Sequence, residues 1–119
     1  MPEYKTYFWN NIDVEVKDFF AGSTNLLDEN GQIVGKLLLS LESSGKIPDR
    51  AIKEIFCFIF DDGSLGFSLG LNDATFRNIS LGNYGLVSDK SGIYTNIFKM
   101  TYFFEYQRDK KMWKIIFRY

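Results

Sequence analysis

The chain has 119 residues, a formal net charge of −1 and 24% charged residues, so it is long enough for one packed domain and carries no basic surface suited to a phosphate backbone. Histidine is absent and Cys57 is the single cysteine, which excludes an intramolecular disulfide, a Cys–His or Ser–His couple and the commonest transition-metal ligand. The aromatic share is high, with 12 Phe, 7 Tyr and 2 Trp making 18% of the chain, and such residues favour strands and fill large interiors or interfaces.

The opening MPEYKTYFWNN lacks a basic segment followed by an apolar stretch, so no secretory signal is read and a cytoplasmic location is expected. No apolar run approaches membrane-spanning length. A first strand is expected over residues 5–20, where IDVEV puts Ile12, Val14 and Val16 on one face and Asp13 and Glu15 on the other. DENG at 28–31 predicts a hairpin-type turn, because Asn-Gly tolerates positive φ. A second strand follows over 32–42, then the loop SSGKIPDR.

The segment AIKEI could start a helical turn, but it leads straight into FCFIF, so residues 51–60 are read as a third strand. That strand is apolar on both faces, with Phe56, Phe58 and Phe60 against Ile55, Cys57 and Ile59. DDGS turns the chain into a fourth strand, LGFSLGL, and ATFRNISL at 74–81 reads as a fifth. A glycine-bearing connection over 82–92 holds a short strand around Leu86. The sixth and longest strand spans 93–107, RDKK turns, and MWKIIFRY closes the chain as the seventh.

Seven or eight short strands in meander order predict an all-β fold, a small antiparallel β-barrel of about eight strands, with residues 1–119 as a single domain and a sandwich as the alternative. Parity favours the barrel. One face of the sixth strand carries Phe98, Met100, Tyr102, Phe104 and Tyr106, and one face of the seventh carries Trp113, Ile115, Phe117 and Tyr119. Gly35, Gly66 and Gly70 lie inside strand-like runs, where a small barrel needs its strands to bend. A strand apolar on both faces needs a second cover. A homo-oligomer, a dimer or trimer, is therefore expected, with the outer face of the third strand in its interface.

The expected ligand-binding residues are Tyr102, Phe104, Tyr106, Trp113 and Phe117, because small-molecule sites are mostly apolar with a few polar groups. A barrel filled by these same side chains is the competing reading. Arg77, near Asn72, Asp73 and Asn78, could meet a carboxylate or carbonyl at a rim, or stabilise a turn. Glu54 and Asp61 bracket the third strand and suit either acid–base work at a mouth or plain solvation. Glu105 reads as outward, Cys57 as a small buried hydrophobe, and Arg108 to Lys111 as a solvated turn. No metal site and no catalytic residue are assigned.

Three stretches in order carry a family resemblance: LLDENGQIVGKLLLSL, then IFCFIFDDGSLGFSLGL, then ISLGNYGLVSDKSGIY. Over about residues 26–94 the chain resembles the allene oxide cyclase barrel superfamily, which includes dirigent proteins and bacterial spirotetronate-type cyclases. Where that family carries a Gly-Gly-Thr-Gly run, this chain has SLGNYGLV and keeps Gly82 and Gly85. The resemblance implies an eight-stranded barrel with a hydrophobic lumen, a dimer or trimer, no cofactor, and chemistry by folding an apolar substrate into one conformation. The function expected is binding of an apolar or polyene-like small molecule, as a cofactor-independent cyclase or isomerase. The alternatives are a non-catalytic protein-interaction module and a lipocalin-like carrier. Neither a nucleic acid nor a membrane is expected as a partner.

Overall fold

Residues 3–12, 17–47, 49–78 and 82–119 are described in the computed structural model of the chain. Alternating apolar residues make its strands, and Asn/Asp-Gly pairs turn them. The strands are β1 (Tyr4–Asn10), β2 (Phe19–Leu27), β3 (Ile33–Ser44), β4 (Ala51–Phe60) and β5 (Gly63–Asn72). A short helix, α1 (Asp73–Arg77), precedes β6 (Asn83–Leu86) and β7 (Asp89–Lys90). A single 3-10 turn (Gly92–Tyr94) leads to β8 (Thr101–Gln107) and β9 (Met112–Arg118). The fold is nearly all-β, as the sequence predicts. No helix among the described residues is long and apolar enough to cross a membrane.

All pairings are antiparallel, in the order β6-β8-β9-β1-β2-β3-β4-β5-β7. The two edges of this sheet, β6 and β7, are neighbours in sequence, joined only by Val87 and Ser88. The Val87 N–H donates to the Met100 carbonyl just before β8, and the Ser88 N–H donates to the Gly66 carbonyl on β5. One bent stretch therefore borders both ends of the sheet and curls it into a barrel.

The interior is filled at mid-height by rings from opposite walls. Phe67 on β5 stacks on Tyr102 on β8 with centroids 3.6 Å apart. Phe58 on β4 meets Phe117 on β9 edge-on at 5.2 Å. Leu26, Leu37 and Ile115 close the remaining space. Each such side chain contributes about 1.5–3 kcal/mol on burial.

The turns follow their chemistry. At DENG the Asp28 carboxylate accepts from the Asn30 and Gln32 N–H groups, and Gly31 takes φ 78°. Gly35 pairs with Leu26 beside a register shift in β2, and a side chain there would run into the Ile59 carbonyl oxygen. The glycine within this strand thus serves bending and close backbone approach.

Three expectations change. The single strand expected over 5–20 holds the ends of two, because the chain reverses before Phe19, which pairs with Glu42 on β3. Period-two alternation does not mark where one strand stops and the next starts. Val14 and Val16, like the rest of 13–16, lie outside the described residues.

The strand expected at 74–81 begins instead as α1. Asn72 caps it, its side-chain oxygen accepting from the Thr75 N–H at 2.7 Å and the Thr75 hydroxyl at 2.8 Å. Asp73 pins the first turn through a 2.6 Å ion pair to Arg50. Residues 79–81 lie outside the described set.

The long strand expected over 93–107 starts only at Thr101. Gly92, at φ 62°, packs its backbone against Asp62 and Gly63 and turns the chain so that Tyr94 drops into the core. Phe98, expected on the lumen face, is 98% exposed.

A half-open aromatic lumen as the candidate functional site

Strand parity assigns the lining. From β4, Ile52, Glu54, Phe56, Phe58 and Phe60 point inward, facing Leu41, Leu39 and Leu37 on β3 and Leu71, Leu69, Phe67 and Leu65 on β5. Tyr102, Phe104 and Tyr106 on β8 and Trp113, Ile115 and Phe117 on β9 complete the wall.

The ring contacts run in the same order on both walls. Phe67 stacks on Tyr102, Phe56 lies 5.7 Å from Phe104, and Tyr106 is the next inward position. On β4 the position after Phe56 in that direction is Glu54. Trp113 links the walls: its ring lies 5.6 Å from Phe104, 5.0 Å from Tyr106 and 6.2 Å from Trp9. The Trp113 indole N–H donates to Asn11 at 3.1 Å, which fixes the ring plane.

Burial divides this lining into two zones. Phe56, Phe58, Phe67, Tyr102, Phe104 and Phe117 are buried, and the middle of the barrel is closed. Toward Glu54 the lining is mixed: Phe20, Leu39, Leu69, Leu71, Tyr106 and Trp113 are half-buried, while Leu41 and Ile52 are buried. Apolar side chains that point inward yet touch water line a concave opening, the usual form of a small-molecule site.

Glu54 stands in that opening at 7% exposure, opposite Leu41 on one side and Leu69 on the other. No hydrogen bond or ion pair reaches it among the described residues. Burial alone pushes its carboxyl up to about 7, so near neutrality it holds and releases a proton readily. A group of this kind inside a cleft is a functional-site signal. The sequence reading placed Glu54 at a rim. Its shared parity with Ile52, Phe56 and Phe58 was the signal for an inward position.

The expected site residues fall into both zones. Tyr106 and Trp113 line the open end. Tyr102, Phe104 and Phe117 belong to the packed middle, and burial raises the Tyr102 phenol above its ordinary range. Arg77 ends α1, which packs beside β4 and β5, and its side chain lies outside the described set. Asp61 sits exposed in the β4–β5 turn.

The opposite end is also polar. The Lys5 ammonium lies over the Tyr94 ring at 5.5 Å and the Tyr119 ring at 5.9 Å, and the Tyr94 hydroxyl donates to Asp62 at 3.2 Å. A cleft of about 850 Å³ at the Glu54 rim is lined by the outward residues Phe19, Glu42, Lys53 and Gly70 and also by Ile52, Leu69 and Leu71, which share the parity of Glu54. Among the described residues no three carboxylate or thiol groups gather to hold a metal.

No family model and no curated protein matches the chain. Two solved structures share its fold. One is a nonspecific heme-binding cyclase that catalyses a 4 + 2 cycloaddition during neoabyssomicin biosynthesis, with a TM-score of 0.66 at 10% identity. The other is the Diels Alderase AbmU from Streptomyces koyangensis, with a TM-score of 0.64 at 10% identity. Both likenesses cover 97% of this chain but 59% of the other, so the chain spans well under two thirds of the proteins it resembles. A curled antiparallel β-sheet closing toward a barrel is the fold this chain shares with them.

Proposed function

We propose that the chain binds an apolar small molecule at the open end of its aromatic lumen and acts as a cofactor-independent cyclase or isomerase by positioning. The observation that carries this reading is the group of inward, half-buried apolar side chains Leu39, Leu69, Leu71, Tyr106 and Trp113 near a buried Glu54 that has no partner among the described residues. Holding a flexible substrate in one reactive conformation lowers a barrier with few chemical groups. The shared fold with two cyclases supports the same reading. An allene oxide cyclase or dirigent-like membership is the finer form of this proposal.

The protein would work as a homo-oligomer. Ile55 and Ile59 on the outer face of β4 are 45% and 40% exposed, with Cys57 between them and Leu38 paired beside it. A second subunit over this face would remove that apolar surface from water.

Native mass spectrometry of the protein from its own host tests both parts. A dimer or trimer carrying an apolar adduct that leaves on denaturation is the expected result. A bare monomer would count against the ligand and the interface together.

A second reading has its own observation. Tyr84, Leu86, Ile93 and Phe98 are all exposed within a short stretch of chain, which suits an interaction module docking a protein partner. Substituting Phe98 with Asp would abolish such docking and leave a lumen ligand in place.

A further inference from the structure

An apolar ligand alone leaves Glu54 unexplained. A carboxylate buried without a partner costs stability, and it persists where something else supplies its partner. Among the described residues the fold supplies none. The inward side chains beside Glu54 are Ile52 and Phe56 on β4, Leu39, Leu41 and Ser43 on β3, and Phe67, Leu69 and Leu71 on β5. None carries positive charge. Among the described cations, Lys5 is engaged with Tyr94 and Tyr119 at the other end, Lys90 donates to the Ile97 carbonyl, and Arg50, just before β4, pairs with Asp73.

Resting on the lumen reading above, we infer that the open end is built for an apolar molecule carrying a basic nitrogen. Its ammonium pairs with the Glu54 carboxylate, and its hydrocarbon part lies along the half-buried Leu39, Leu69, Leu71 and Tyr106. The aromatic wall argues for a cation over a neutral carbonyl. Tyr106 and Trp113 are half-buried and in contact at 5.0 Å, and ring faces attract cations but offer a carbonyl nothing comparable. Charge from Glu54 and ring faces from β8 and β9 make one site for an amine.

The test uses two probes of matching shape: dimethyl(naphthylmethyl)amine and its carbon isostere isobutylnaphthalene. Binding of each to the full chain is titrated at mildly alkaline pH, where the amine keeps its charge and Glu54 is ionised. The amine should bind about tenfold or more tighter than the hydrocarbon, as a charge-assisted contact provides. Glu54→Gln keeps the shape without the charge and should lose most of the amine preference, leaving only the small part the ring faces supply. Glu54→Leu, which suits the apolar wall, is the second variant if the first does not fold.

Equal or tighter binding of the hydrocarbon to the unaltered protein would overturn the inference and leave the lumen reading standing. A preference that survives both substitutions in full would overturn it too. Binding of neither probe would remove the amine site and the open lumen together.

Discussion

The two ends of the barrel are built to opposite rules. At one end Lys5, Tyr94, Tyr119 and Asp62 engage one another. Burial works against the Lys5 charge, but the hydrogen bond with Tyr119 and the charges of Tyr119, Tyr7 and Asp62 outweigh it, and its pKa is raised. Burial, the Tyr7 and Asp62 charges and the Asp62 hydrogen bond hold the Tyr94 phenol far above its ordinary range. Tyr7 and Phe60, both half-buried, pack at 4.7 Å beneath them. At the other end Glu54 has no partner among the described residues, and Leu39, Leu69, Leu71, Tyr106 and Trp113 near it are half open to water. The first arrangement holds the fold together. The second lowers stability and leaves a group free to act on something else, which is the pattern of a functional site.

The largest effects should come from the sealed end. Tyr94→Ala removes a ring that is 2% exposed and should cost about 3–5 kcal/mol in urea unfolding. Tyr106→Ala at the open end should cost less than half as much, because the ring is already half solvated. Equal losses would mean that the two ends are packed alike.

A pH series sharpens the same contrast. The folded-state pKa of Glu54, about 7, lies above its ordinary 4.5. Its contribution to stability is thus fully present below about pH 4.5 and is lost as pH rises to about 7. The loss should be on the order of 3 kcal/mol. Glu54→Gln should flatten this part of the profile and leave the protein more stable than the unaltered chain above neutrality. A Glu54→Gln profile that falls as steeply as before would assign the pH dependence to other groups.

Much of this arrangement was legible in the sequence. Residues 51–60 read correctly as a strand because both faces are apolar and Asp-Gly follows. The aromatic parity of β8 and β9 read correctly from Tyr102 onward, since alternation in a regular ladder is local information. Phe98 failed because the alternation continued past the point where Gly92 turns the chain, a contact with Asp62 and Gly63 some thirty positions away in sequence. The strand reading failed over residues 74–77 because the Asn72 cap and the Asp73–Arg50 ion pair decided against their β-propensity. Glu54 was readable by parity, but its lack of a partner was not, because that depends on what β3 and β5 bring beside it.

The smallest test isolates a single hydrogen bond at the sealed end. Tyr94→Phe keeps the ring and removes only the hydroxyl that donates to Asp62. The bond is long at 3.2 Å and Asp62 is exposed, so water can take over the carboxylate. The expected cost is about 1 kcal/mol, with ligand binding at the Glu54 end unchanged. A Tyr94→Phe variant that lost ligand while keeping its stability would show that the sealed end reaches the open one through the packed rings between them. The contrast would then describe one continuous site with two polar termini, and Lys5 would become the next residue to substitute.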